Sequence, residues 1–276
     1  NSALIGGGMA NGYNSSPTIT NCTFIGNVGG GMDCWESNPT LASCTFSKNK
    51  ASEGGGIYCQ WSTLMITNCT ISENIATDRY GQGGGIANFG GSLTIANCTI
   101  SGNRAFSGGG ISCSAGSGPS RPVSISGCII TGNIATSIYH GGGGIYCLGY
   151  NPKIANCVVA GNIAKRWGGG MYDAGSDPIL TNCTFSQNWA GENGGGMYSL
   201  ASSSPILTNC ILWGDASEEI YVYHGVTPVI TYTNVEGGWP GLGNIDADPC
   251  FAELGYWADV NDQNIVVEPN DPNAIW

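Results

Sequence analysis

The stretch NCTISENIATDRYGQGGGIANFGGSLTIANCTISGN (68–103) holds one complete repeat and the start of the next. It opens on Asn-Cys-Thr and closes a seven-residue motif on Asn74. A polar segment then leads to GGG and Ile86, and a Gly-rich turn follows. An alternating run brings the chain back to Asn97 and Cys98. The same motif recurs as NCTFIGN (21–27), SCTFSKN (43–49), GCIITGN (127–133), NCVVAGN (156–162), NCTFSQN (182–188) and, in degenerate form, NCILWGD (209–215). Its cysteines, from Cys22 to Cys210, are spaced 22 to 30 residues apart. Met32, Ile57, Ile86, Ile111, Ile145, Met171 and Met197 each follow a GGG triplet.

Such self-similarity marks a repeat architecture. Alternation puts Ile19, Cys22 and Phe24 on one side, with a change of parity at Asn21 that implies a bend. Asn tolerates the left-handed conformation that such a bend requires. Each unit reads as two or three short strands, none able to bury its apolar side alone. Stacking the units in parallel register buries a continuous core. A helical reading fails, because each Gly in a triplet would cost a helix about 1 kcal/mol. The expected fold is all-β: a right-handed parallel β-helix (solenoid) of about eight coils, forming a rod roughly 40 Å long at about 4.8 Å per coil. Coils are expected over 1–213, one or more irregular terminal coils over 214–251, and an acidic C-terminal extension over 252–276.

Composition agrees. Gly supplies 46 of 276 residues without a G-X-Y period, and charged residues are only 10%, which suits a folded, Gly-punctuated β protein. No apolar run approaches a bilayer span, so no transmembrane segment is expected. The chain begins in mid-pattern and reads as a mature or excised segment. Charge is uneven: residues 1–166 carry a balance of +3 and residues 167–276 one of −14. A nucleic-acid footprint is absent, so no nucleic-acid partner is expected.

Stacked repeats place equivalent residues above one another. The Asn before each cysteine and the Asn closing each motif should form ladders whose amides bond along the stack and satisfy turn backbone. Eight of the 13 cysteines fall in one inward column and behave as small hydrophobes rather than as a disulfide scaffold. Cys34–Cys59 and Cys113–Cys147, neighbours in a second column, are where a bridge could form. No CxxC or clustered Cys/His spacing indicates a metal.

The FxxN and GG-small-apolar elements, here TFIGN, TFSKN, TFSQN, GGGM and GGGI, resemble repeats of bacterial polymorphic outer-membrane proteins. The whole chain resembles secreted bacterial right-handed parallel β-helix repeat proteins, and ITYTNVEGGWPGLGNIDADPCF (230–251) resembles their end-of-helix segment. The resemblance implies a secreted or cell-surface bacterial protein. GGG stands where the outer-membrane repeats usually carry GGA, and no membrane β-barrel is visible, so autotransport is not implied.

Catalytic residues do not emerge from the repeat. β-Helix lyases need clustered acids and a basic residue, and hydrolases need paired carboxylates. The strand columns carry almost no acids before residue 200. The expectation is a non-catalytic extracellular structural or adhesion module, with a polysaccharide-active lyase or glycoside hydrolase as the alternative. The variable segment between ladder Asn and GGG carries Arg79, Tyr80, Arg104, Phe106, Tyr139, His140, Arg166, Trp167 and Trp189. Successive coils are expected to align these along one ridge suited to an extracellular glycan. A solenoid's unpaired end strands and its charge asymmetry suggest a second partner, the protein itself, in head-to-tail fibres. No cofactor is expected beyond Ca²⁺, hinted at by DADP (246–249) and ADVND (258–262).

Overall fold

A computed structural model describes residues 6–116, 121–200, 202–252, 255–263, 265–269, 271 and 273–275. Three nine-stranded sheets run the length of the rod. The first begins with Met9–Gly12 and ends with Ile220–Val222, the second runs from Thr18–Thr20 to Val229–Thr231, and the third from Thr23–Ile25 to Asn234–Val235. A fourth sheet stacks six two-residue strands, Lys50–Ala51 to Trp189–Ala190. Within these four sheets each strand pairs in parallel with its equivalent one coil away, as Ile86 with Ile57 and Ile111, or Ile71 with Phe46 and Ile100. Parallel crossovers of this kind take the right hand. The chain is a right-handed parallel β-helix.

The rod has about nine coils, against the eight counted from cysteines. In the ninth, Thr233 stands where cysteine is expected. At Cys69, Cys98 and Cys157 the cysteine Sγ accepts the backbone N–H of the previous coil's cysteine, as Cys69 does from Cys44 at 3.3 Å, and donates to a carbonyl two residues back. The Thr233 hydroxyl does both, accepting from Cys210 at 3.3 Å and donating to Thr231 O at 3.0 Å. A coil therefore forms without the residue that advertises it.

Inside, the columns are fully buried. Ile57, Ile86 and Ile111 line the first sheet, Leu41, Ile66 and Ile95 the second, and Phe46, Ile71 and Ile100 the third, all at 0% exposure. Each such side chain contributes about 1.5–3 kcal/mol. All 13 cysteines are free, including Cys34, Cys59, Cys113 and Cys147. Those from Cys44 to Cys210 are buried, whereas Cys22 on the first coil is exposed. Burial holds the Cys59 thiol well above its ordinary range, as expected of an inert packing group.

The bends obey the sequence. Asn21, Asn68, Asn97, Asn156, Asn182 and Asn209, each immediately before its cysteine, have φ between 52° and 56°. The second Asn series is buried and continuous from Asn27 through Asn49, Asn74, Asn103, Asn133 and Asn162 to Asn188. Asn133 shows the pattern. Its Nδ2 donates to Ile100 O (2.9 Å) and Asn162 Oδ1 (3.0 Å), while its Oδ1 accepts from Asn103 N (3.0 Å) and Nδ2 (2.9 Å). The amide is satisfied at all four positions. The GGG triplet lets the coils approach this column. A Cβ on Gly110 would lie 2.7 Å from Gly144 O and 3.0 Å from the Asn133 side chain.

The ladder ends on acid. Asn188 N and Nδ2 donate to Asp215 Oδ1 at 2.7 and 2.8 Å, and Asp215 N donates to Glu219 Oε1 at 3.0 Å. Burial holds both carboxyls above the usual range. Beyond them, Asn244 accepts from Thr233 N and donates to Ile230 O, Ile245 bridges Asn234, and Trp239 packs on the core. The last rung is thus capped at its 230–235 corner. Ala258–Asp259 and Ala274–Ile275 then pair antiparallel, and Trp257 and Ala274 pack on Ile163 of the fourth sheet. Among the described residues no helix is long and apolar enough to cross a membrane.

Two predictions follow from the buried polar columns. Asn133→Ala removes four hydrogen bonds and strands buried donors and acceptors, so it should cost about 3 kcal/mol or more in denaturant melts. Asn156→Gly, which keeps the left-handed bend on the exposed ladder, should cost less than about 1 kcal/mol; equal losses would contradict the distinction. Asp173 replaces cysteine in the second inward column, accepts from Ser199 Oγ at 2.7 Å, and is pushed by burial up to about 7. The folded chain thus keeps a proton that the unfolded chain gives up near pH 4. This group's contribution to stability is greatest in mild acid and falls as pH rises from about 4 to 7. Asp173→Asn should raise the thermal midpoint at pH 8 and leave it little changed at pH 4; an unaltered pH profile would contradict this.

Candidate functional site

The nine ridge residues lie in the segments before GGG, but the fold separates them into groups. Arg79 sits over the Tyr80 ring at 5.3 Å, and Tyr80 meets Phe106 of the next coil edge-on at 5.4 Å. Tyr139 is exposed, and the backbone N–H groups of Tyr139 and His140 both donate to Ser137 Oγ. The His140 ring packs against Tyr146 and Tyr172 at 5.9 and 6.3 Å, and burial pushes its imidazole below the ordinary value. Arg166 covers the Trp167 ring at 4.2 Å, contacts Glu192 at 2.8 Å and donates to Ile138 O at 2.9 Å. Its guanidinium is already committed.

Arg104 and Trp189 belong to the fourth sheet. They line a recess of about 660 Å³ with Lys165 and with Pro269, Asp271 and Ala274 of the extension. The extension packs over this part of the ridge. Alongside Trp167 runs a column that the sequence reading passed over: Tyr146, Tyr172, Tyr198 and Tyr221, stacked 5.1–5.4 Å apart. Its signal was present, since each Tyr directly follows the apolar residue that opens its strand of the first sheet.

A second cluster lies nearer the N-terminal end and brings together acids that the sequence scatters. Asp33 and Tyr58 are cross-coil partners on the outer face of the first sheet, as are Trp35 and Gln60 two residues on. Glu53 precedes the next GGG. Asp78 starts the variable segment of the following coil, where its backbone N–H donates to Ser52 O. Tyr13, at φ 49°, closes the far wall from the first turn. These residues line a groove of about 440 Å³.

The electrostatics of this groove are one-sided. Burial pushes the Asp33 carboxyl up to about 6. Glu53 is raised by burial and then by the charge of Asp78. Tyr58 is pushed up to about 12 by burial, then by Glu53 and Asp33. Its hydroxyl donates to Gln60 Oε1 at 3.1 Å. Lys and Arg are absent from the wall. Among the described residues no three His, Cys, Asp or Glu side chains converge to hold a metal ion. Trp35 is braced edge-on by Trp61 at 5.1 Å.

Laddered parallel coils with a groove on one flank define a right-handed β-helix solenoid. The chain belongs to the family described as right handed beta helix region, which matches residues 4–147 and 84–247. No curated protein matches the sequence. Among solved structures, a trypsin-treated form of QnrB1, a plasmid-mediated fluoroquinolone resistance protein, aligns at 11% identity over 78% of this chain and 92% of that one, with a TM-score of 0.28.

The shared groove has a direct check. Asp78→Asn should bring the Glu53 carboxyl down toward its ordinary range, read by carbon-detected NMR titration. A Glu53 titration that does not move would show that the two acids do not share a field.

Proposed function

We propose that this protein is a non-catalytic surface or extracellular module of a bacterium that holds glycan along the flank of a rigid rod. The observation that carries the reading is the groove at Tyr13, Trp35 and Tyr58. The Trp35 and Tyr58 rings are set on a sheet face and Tyr13 adds a ring from the first turn, with Tyr13 82% and Trp35 40% exposed. Aromatic faces suit the C–H faces of sugar rings, and carboxylates and Gln60 accept hydroxyl hydrogen bonds. A laddered sheet holds its side chains in place before the ligand arrives, which lowers the entropy cost of binding. The bacterial, exported setting rests on the resemblance of the repeats. The capped 230–235 corner of the last rung, where a further copy would have to pair, favours a rod that acts through its side over one that stacks head to tail.

A second reading has one observation in its favour. Asp33, with its raised pKa, shares the groove with Glu53, the pairing of proton donor and carboxylate that glycoside hydrolysis uses. One experiment separates the two. A panel of soluble polysaccharides is tested for binding and for release of reducing ends. Saturable binding without release, weakened about ten-fold or more by Trp35→Ala, is expected. Release abolished by Asp33→Asn would establish the enzyme, and no binding by any glycan would overturn both readings.

A further inference from the structure

The groove's charge narrows its ligand. We infer that it takes a glycan bearing free amino groups, an inference that rests on the glycan-binding reading above. Asp33, Glu53 and Asp78 stand in one wall with no cation among its lining residues. The nearest cations in sequence are Lys50 and Arg79. Neither lines the groove, and Arg79 is drawn over Tyr80. The ion pairs Lys48–Glu73 and Arg166–Glu192 involve none of the three acids. Mutual repulsion is therefore left standing: the charge of Asp78 acts on Glu53, and those of Glu53 and Asp33 act on Tyr58.

A ligand that supplies positive charge relieves this repulsion, and one that brings further carboxylates or sulfates adds to it. The acids do not converge on one point as a metal site requires. Spaced acids instead match positive groups distributed along an extended ligand. The rings of Tyr13, Trp35 and Tyr58 add two attractions at once: stacking on a sugar face and attraction for an ammonium group. An amine-bearing sugar ring combines both features in one unit. A neutral glycan would use the rings and leave the charge uncompensated.

The test uses the intact protein near pH 6 and at low salt, where surface charges are least screened. Calorimetric titrations compare a glucosamine hexamer, its fully N-acetylated counterpart and a hexalysine peptide. The amine-bearing hexamer should bind about ten-fold or more tightly than the acetylated one. Trp35→Ala should weaken both sugars, and the Glu53→Gln, Asp78→Asn double variant should abolish the difference between them, with thermal melts confirming that each variant is folded. Equal binding of the two sugars overturns the inference while leaving glycan binding intact. So does binding of other glycans but neither hexamer. Tighter binding of hexalysine than of either sugar shows that the groove reads charge alone and overturns the amino-sugar assignment. Failure of every glycan overturns the inference together with the reading beneath it.

Discussion

Every coil of this rod turns its backbone inward at the same corner, and the polar groups of that corner are cut off from water. The column of asparagine amides resolves this. From Asn49 to Asn162 each Nδ2 donates to the next amide and to a carbonyl of the preceding coil, and each Oδ1 accepts a backbone N–H and an amide from the coil before, at distances near 2.9 Å. A buried polar group without such partners would cost about 1–3 kcal/mol at each rung. Seven coils carry the ladder Asn, so the unmet cost would be comparable to the whole stability of an ordinary domain. The remaining features are arranged around it. Gly110 and its equivalents have no Cβ because one would meet the next coil's glycine carbonyl at 2.3–2.7 Å and the amide column at 3.0–3.2 Å. The thiols of Cys69, Cys98 and Cys157 and the Thr233 hydroxyl close the neighbouring corner with the same pair of bonds.

A scaffold held this tightly frees its outer face. Side chains at outward positions contribute little to the core, and so Tyr58 can face Asp33 and Tyr146 can stack on Tyr172 without disturbing the coil. The two ends of the rod have diverged in this respect. The N-terminal half of the first sheet presents an acid-walled, aromatic groove, whereas the C-terminal half closes its aromatics into a column under Trp167 and Arg166. The extension, folding back onto Ile163 and Trp189, occupies a face that the repeat alone would have left open. The flank is open as a groove toward one end and covered by the extension toward the other.

How much of this could be read from residues follows from where the repeat applies. Positions locked into columns were legible: the bend at Asn97, the inward cysteines, the amide ladder and the parallel register all follow from spacing. The ninth coil was hidden because Thr233 does the work of a thiol with a different atom. The variable segments were legible as a row but not as a surface. Their lengths differ from coil to coil, so Arg104 falls on a strand while Arg79 hangs on a loop. Asp33, Glu53 and Asp78 escaped notice for a related reason. They occupy three inequivalent positions in three coils, and only the winding of the chain brings them to one wall. The extension carries no repeat, so its return onto the fourth sheet had no signal.

The account stands or falls on the buried amide column, and native-state hydrogen exchange reads it directly. The backbone N–H groups of Asn49, Asn74, Asn103, Asn133 and Asn162 should exchange only through global unfolding, with protection equal to the slowest amides in the molecule. Exchange of these five at the rate of exposed turn amides would contradict it, because the corner would then be open to water and the asparagines would not hold the coils together.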